Sequence, residues 1–432
     1  MNTPISPRRS ISGSWGSKTI RPLHIFESWL PVVSGYTSRS WEIIAGQIAA
    51  ASLEPRVLVS SRQQTYGQET LTSCEGLEGR LHAVRPSALE SWTRRLRPFQ
   101  IHRQHLERAI ISAVEETGAE LIHVHWSSGI GKAAAAAAKR LGLPLVAEIR
   151  FDLAGAVMSE TVRLPAPPLE RALRRYFDGH LDGADAIVAA GDSLAAFLRT
   201  ERPELASRVF SVPNGVDSQR FQPGPADPDL LARLGLEGKF VVGSTSNMLR
   251  YEGLDLLLRS LEVVQRRVPM VHALLIGGGT QFEQLQVQAR TTGVPVTFTD
   301  KVPADEVPQL LRLFNVFVIP RRDVTITRFA GPIKLVEAMA SGLPIVGSRV
   351  GDIPTLLADG RGVVVEPDSI QALACTLADV ATDAGGRARM GGLARAWTET
   401  HLRWSGAADR YRELYEMVLA GASAQPGHAP EV

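Results

Sequence analysis

PIKLVEAMASGLPIVGS, residues 332–348, decides how this chain folds. Pro332 suits a first helical position, where its missing N–H would have no partner anyway. Gly342 suits the residue just past a helix end, and Pro344 forbids continuation. The spacing predicts a helix of about ten residues beginning at Pro332. A strand, Ile345 to Gly347, follows at once. Ile333, Val336, Met339 and Ala340 make an apolar stripe, while Lys334, Glu337 and Ser341 share another face at spacings of three and four. A lysine in the first turn opposes the positive end of the helix dipole, by a few tenths of a kcal/mol. A bound anion reverses that penalty, so first-turn amides plus Lys334 suit a phosphate, and Glu337 one turn deeper suits paired ribose hydroxyls. Standing alone, the stretch reads better as a solvated helix with a partly exposed lysine.

At 432 residues the chain exceeds what one core usually supports, so two sizeable domains are expected. It is 44% hydrophobic and 21% charged, with 47 basic and 45 acidic side chains. A net charge of +2 gives no reason to expect a nucleic-acid partner. Cys74 and Cys375 lie far apart in no metal-like spacing, which suits a reducing cytoplasm and predicts no metal site. No apolar run reaches membrane-spanning length, and the arginines near the start have no apolar segment behind them. The expected location is cytoplasmic, with at most peripheral contact at the inner membrane face.

Residues 1–20 and 421–432 are rich in small and polar residues and read as disordered ends. Between them short apolar runs alternate with amphipathic stretches. Leu23–Phe26, Arg56–Val59, Leu121–Val124, Leu145–Ile149 and Ala186–Ala189 read as strands, separated by helical patterns at Trp41–Ala51, Leu106–Thr117 and Gly131–Leu141. A second series starts at Val209–Val212 and runs through Phe240, His272, Val296, Val316, Pro344 and Gly362. The alternation predicts α/β architecture with two doubly wound parallel sheets. The expected division is 21–211, 212–400 and a terminal helix, 401–420, packed back on the first domain.

Several strand ends carry candidate chemistry. SGYTSR, Ser34–Arg39, places Gly35 where a backbone can approach an anion at a helix N-terminus, or simply makes a tight turn. Glu148 and Arg150 alternate after LPLVA; they read as a buried ion pair, or as Arg150 on a sugar or phosphate with Glu148 orienting it. His123 and His125 share one face of HVHW and are weak cleft candidates. PNGVD, Pro213–Asp217, has turn chemistry at the natural domain junction. STSNMLRYEG, residues 244–253, puts Asn247 and Arg250 over a helix N-terminus. The glycine run 277–279 is explained as well by close backbone packing. WTRRLRPFQIHRQHLER, residues 92–108, reads as a solvated face interrupted by Pro98.

In combination these motifs resemble the family-four retaining glycosyltransferases of the GT-B fold, over about residues 22–418. SVPNGVDSQRF resembles that family's interdomain segment, IGGG its central glycine strand, and KLVEAMASGLPIVGS its nucleotide-sugar helix. SGYTSR, AEIR, RYEGLDLLL and GPIKLVEAMA resemble a bacterial branch, associated with exopolysaccharides, in which YEGLD replaces a lysine-glycine signature. Where the wider family has paired glutamates, this chain has Phe329 and Glu337; where it has the arginine and lysine of a phosphate loop, Asn247 and Glu252; where it has a cleft histidine, Arg150.

The resemblance implies two Rossmann-like domains facing a cleft and a hexosyltransferase-type, retaining, front-face transfer from a nucleoside-diphosphate sugar. It implies no cofactor and no required metal. Arg150, Arg250 and Lys334 would carry the chemistry, and Gly35, Tyr36, Asn247, Arg250, Lys334, Leu335 and Glu337 would hold the donor. Arg39, His125 and Glu148 would face the acceptor, which is a glycan, a lipid-linked glycan or a small natural-product metabolite. The base, the sugar, the attacking atom (O, N or S) and the oligomeric state stay open. The alternative is a nucleotide-sugar sensor or an inactive partner subunit, motivated by the changed glutamate and phosphate-loop positions.

Overall fold

The computed structural model describes residues 19–32, 34–66, 76–86, 103–125, 128–154 and 167–421. The expectations for residues 1–18 and 422–432, for Cys74 and for residues 92–102 lie outside them. The first sheet contains β1 (Pro22–Phe26), β2 (Arg56–Val59), β3 (Leu81–Ala83), β4 (Leu121–Val124), β5 (Leu145–Ile149), β6 (Ala186–Ala189) and β7 (Val209–Ser211). Its order is β3-β2-β1-β4-β5-β6-β7, all parallel. The second contains β8 (Phe240–Thr245), β9 (Val271–Ile276), β10 (Val296–Phe298), β11 (Val316–Ile319), β12 (Ile345–Ser348) and β13 (Val363–Val365), in the parallel order β10-β9-β8-β11-β12-β13. The chain is thus α/β with two Rossmann-like parallel sheets. Val209–Ser211 closes the first sheet against β6 and does not open the second, which corrects the strand series read from sequence.

The principal helices are α1 (Gly35–Ala49), α2 (Arg103–Thr117), α3 (Ser128–Leu141), α4 (Pro167–Asp178), α5 (Asp192–Glu201), α6 (Leu254–Val264), α7 (Phe282–Thr292), α8 (Ile333–Ala340), α9 (Ile370–Thr382), α10 (Ala384–His401) and α11 (Trp404–Leu419). None of the described helices is long and apolar enough to cross a membrane. Strand order reverses between β1 and β4 and again between β8 and β11, and the crevice beyond the carboxyl ends at such points is where open α/β sheets take ligands.

Helix α8 is shorter than expected, with Pro332 as N-cap (φ −83°, ψ 100°) and Ile333 first inside. Gly342 takes the left-handed conformation past its end (φ +68°), as a glycine is needed to do without strain. The buried face is Leu335, Val336, Ala338, Met339 and Ala340, so Leu335 and Ala338 join the stripe and Ile333 is only half-buried.

Strand periodicity sorts the first sheet. Leu145, Ala147 and Ile149 enter the core under α2 and α3, so Val146 and Glu148 point to the opposite face. His24 and His123, paired in register, alternate in the same sense between apolar neighbours. That face is covered by α1 and by α11, which packs across it from the far end of the chain. Trp404 anchors α11: a Cβ at Gly46 would lie 3.0 Å from its carbonyl, and one at Gly215 would lie 2.8 Å from its ring. Trp404→Ala should lower the stability of the unit built on the first sheet by about 3–5 kcal/mol. Urea unfolding measures this, and a loss under about 1 kcal/mol would show that α11 docks without that anchor.

Candidate functional site

Glu148, next to last in β5, is buried, and it gathers the first-sheet side of the crevice. Its Oε1 accepts from Arg39 Nε and Arg150 Nε, both at 3.0 Å, and its Oε2 accepts from Tyr411 Oη at 2.5 Å. Burial alone would raise its pKa, but Arg39, His125 and Arg150 outweigh that and hold it well below the usual carboxylate range. Arg39 also donates to Asn214 Oδ1 (2.8 Å) and to the Val212 carbonyl (2.8 Å). Arg150 donates to the Tyr36 carbonyl (2.6 Å), to Ser40 Oγ (3.0 Å) and to His125 Nδ1 (3.1 Å), and its guanidinium lies 4.3 Å from the centre of the Tyr36 ring.

Three histidines fill the space beneath. His24 Nδ1 lies 2.7 Å from His125 Nε2, His24 Nε2 lies 2.9 Å from Gln47 Oε1, and His123 Nδ1 lies 2.7 Å from Tyr415 Oη. Burial pushes His125 down to about 4, against the pull of Glu148, and pushes His24 and His123 well below their ordinary value. The ligand atoms of the three rings lie within 4.8 Å of one another, so the trio has the reach of a metal site. Its donor set argues otherwise: most ring nitrogens already bond to each other or to neighbours, and two guanidiniums share one carboxylate beside them.

The opposite wall comes from α8 and the end of β11. Lys334 Nζ lies 3.0 Å from Glu252 Oε2, and Arg321 donates from Nε (3.3 Å) and Nη2 (3.2 Å) to the same carboxylate. Burial would raise the pKa of Glu252, but Arg321 and Lys334 bring it to about 2, leaving the trio with a charge of +1. Gly253 (φ +71°) lets this loop lie on β11, since a Cβ there would fall 2.0 Å from the Pro320 carbonyl. Burial pushes Glu337 up to about 7, with Arg220 opposing and Glu42 adding to the rise. Glu42, on α1 across the crevice, is pushed up to about 7 by burial, with Arg220 again opposing. The α8 N-terminus carries no side-chain cap.

The two halves meet beside these groups. Asn214 bonds Arg39 on one side and, through Nδ2, the Gly331 carbonyl on the other at 3.0 Å. Asp352 accepts the Ser193 N–H at the start of α5 at 2.7 Å. Phe329 stacks on Phe197 of α5 with ring centres 4.1 Å apart.

The sequence expectations are redistributed by this geometry. Arg39, His125 and Glu148 are buried (2%, 0% and 1% exposed), so they lie beneath the crevice and support it. Arg150 is half-buried and gives four of its five N–H donors to Glu148, Tyr36, Ser40 and His125, so it forms the ion pair expected of it. Leu335 is a core residue with no exposed surface, so it offers no side chain to a donor. Asn247 and Arg250 are exposed on the loop after β8, and Gly35 is exposed at the start of α1 with Tyr36 half-buried behind it. Tyr36 Oη donates to the His125 carbonyl at 2.8 Å. The glycine run at 277–279 is close backbone packing: a Cβ at Gly277 or Gly279 would sit 2.0 or 1.7 Å from the carbonyls of Ser246 or Asn247. Sequence reasoning missed Arg321, Glu42, Asp352, Tyr411 and Tyr415; only the paired arginines after a strand, Arg321 and Arg322, offered a local signal.

The histidines carry a pH consequence. Their folded pKa values lie below the unfolded value of 6.5, so between about 6.5 and about 4 the unfolded chain binds protons that the folded chain refuses. Stability from keeping them neutral is present above pH 6.5 and lost as pH falls through that window, by ~1.4 kcal/mol per pH unit for each proton. Glu42 and Glu337, pushed up to about 7, act in the opposite sense over the same window, so the histidine share is read from ring titrations by NMR: all three rings should still be neutral at about pH 5.5, and midpoints near 6.5 would mean that they titrate normally.

Comparisons with known proteins agree with this architecture. Residues 38–220 match the profile of Glycosyltransferase Family 4, and residues 239–383 that of Glycosyl transferases group 1. The chain is 36% identical over 216 residues to the GDP-mannose-dependent alpha-(1-6)-phosphatidylinositol monomannoside mannosyltransferase of Mycolicibacterium smegmatis, covering 47% of this chain and 55% of that protein. It thus aligns with little more than half of that relative's length. Among solved structures, sucrose-phosphate synthase from Thermosynechococcus elongatus superposes with a TM-score of 0.69 at 16% identity, over 93% of this chain and all of that one. Anabaena HepE, solved with UDP and glucose, gives 0.65 at 20% identity over 92% of this chain and 99% of that one. These likenesses carry the GT-B fold. By sequence profile the chain's two halves are similar to Glycosyltransferase Family 4 and to Glycosyl transferases group 1, respectively.

Proposed function

We propose that the protein is a retaining glycosyltransferase that moves a sugar from a nucleoside-diphosphate sugar to an acceptor in the crevice. The observation that carries this reading is the uncapped first turn of α8 with Lys334 held over it by Glu252 and Arg321, one turn from Glu337. As the bond from the anomeric carbon to phosphate breaks, negative charge gathers on the leaving diphosphate. Lys334, the first-turn amides and Arg321 behind them offset it. The acceptor attacks from the face the diphosphate leaves, its proton passes to a phosphate oxygen, and configuration is retained. No step is assigned to a metal or to a side-chain nucleophile. Glu252, which alone would repel a diphosphate, sets the direction of the lysine instead.

Gly35 forms the facing wall. Its φ lies outside the left-handed region and a Cβ there would meet nothing within 4 Å, so the fold itself does not demand glycine. Close approach of a ligand to α1 supplies the missing reason. The resemblance of Tyr251–Asp255 to the exopolysaccharide branch favours a glycan acceptor. The mannosyltransferase relative makes GDP-mannose the first donor to try.

Thermal-shift titration with UDP, GDP, ADP and dTDP tests the reading, since a ligand at 100 times its Kd stabilises by ~2.7 kcal/mol. One nucleotide should raise the melting temperature, and its sugar should then be transferred. No shift with any of them would overturn the donor site, and binding without transfer would favour the sensor. With a pKa of about 7 before binding, Glu337 accepts from both hydroxyls of a diol only once ionised, so donor affinity should rise up to about tenfold per pH unit below 7 and level off above. Glu337→Gln should weaken binding and flatten that profile; an unaltered profile would remove Glu337 from the site. Gly35→Val should leave the melting temperature of the free protein within about 1 °C, as expected of an exposed position, yet weaken donor binding at least about tenfold by obstructing the helix start. Unchanged donor binding in that variant would clear α1 of any contact.

A further inference from the structure

We propose that Tyr415 and Gln47 are positioning residues for the crevice, acting through a one-way chain of hydrogen bonds that ties the C-terminal helix to the first turn of α1. The direction follows from one fact: an arginine side chain only donates. Arg150 Nη2 donates to His125 Nδ1, so neutral His125 carries its proton on Nε2 and donates to His24 Nδ1. His24 in turn holds its proton on Nε2 and donates to Gln47 Oε1. That fixes the Gln47 amide, whose Nε2 donates to Tyr415 Oη at 3.2 Å, and the tyrosine proton is left for His123 Nδ1. His123 is then also the Nε2–H form, and that nitrogen, otherwise without a partner, lies 3.7 Å from Glu148 Oε2.

The path therefore starts at a group that can only donate and ends beside one that can only accept, and those two are themselves ion-paired at 3.0 Å. With Arg150 donating to His125, each member between has one arrangement; the competing partner of His125 Nδ1 is Glu148 Oε1, 3.4 Å away. Reversing His125 would aim an N–H at the Arg150 N–H. Because Arg150 also holds the Tyr36 carbonyl and Ser40 Oγ, the chain reaches the turn that presents Gly35. Removing the Tyr415 hydroxyl strips His123 Nδ1 and Gln47 Nε2 of their partner and loosens the chain at that end, while Arg150 still sets the tautomers of His125 and His24.

The binding arm of the test rests on the donor reading above; the tautomer arm does not. Selective 15N-histidine labelling of the full chain at pH 7 should show the Nε2–H form for His24, His123 and His125, and an Nδ1–H form at His24 or His125 would overturn the proposal. Tyr415→Phe and Gln47→Met should each leave His24 and His125 in the Nε2–H form that Arg150 sets, shift the His123 ring signals, and move the Gly35 and Tyr36 amide resonances. Each should weaken binding of the nucleotide found by thermal shift about fivefold, and the double variant should be no weaker than the worse single. Effects that multiply in the double variant, or unmoved Gly35 and Tyr36 resonances, would mean that Tyr415 only packs. Absence of nucleotide binding by the unmodified protein would refute the donor site and leave the tautomers and amide resonances to decide this proposal.

Discussion

A carboxylate cannot be buried alone, and the first half of this molecule is arranged around meeting that condition at Glu148. Two of its partners come from distant parts of the chain, Arg39 from α1 and Tyr411 from the terminal helix, and the third, Arg150, from the loop after its own strand. The desolvation cost of such an ion is several kcal/mol, and removing one partner of a buried pair typically costs about 3–5 kcal/mol. The net gain over an apolar core is small; what the charge supplies is placement. Helix α1, the β5 loop and α11 are each held to one point, and the neutral histidines fit around it because a further positive charge would have no counterpart.

The second half uses the same device with a different outcome. Glu252 also sits between two cations, but one of them, Lys334, keeps 18% of its side chain exposed. The first cluster turns its charge inward and gives rigidity, whereas the second leaves a cation at the crevice with its direction set from behind. Phe329 completes the contrast. The resemblance to the wider family puts a glutamate at that position, yet here the ring is turned onto α5 and away from the crevice.

Period and punctuation made much of this legible in the sequence. Gly342 and Pro344 bounded α8 because backbone conformation is a local property, and alternation marked the strands. Side-chain roles were harder. His125 and Arg150 stand at strand ends, where crevice contact is common, but what covers them is a helix whose Tyr415 is 292 residues from its partner His123. Glu252 looked hostile to a phosphate because its neutralising Arg321 is 69 residues away. Val209–Ser211 is an edge strand three residues long, and nothing in so short a run says which sheet it joins.

The junction between the halves has a mechanical meaning. Asn214 holds a guanidinium on one side and a backbone carbonyl on the other, while the Asp352 carboxylate rests on the start of α5, where a Cβ at Gly191 would lie 2.2 Å from its outer oxygen. Contacts of this hardness act as an end-stop. While they hold, the span from Gly35 to Lys334 is set by the protein's own framework, as the jaws of a gauge are set by its frame.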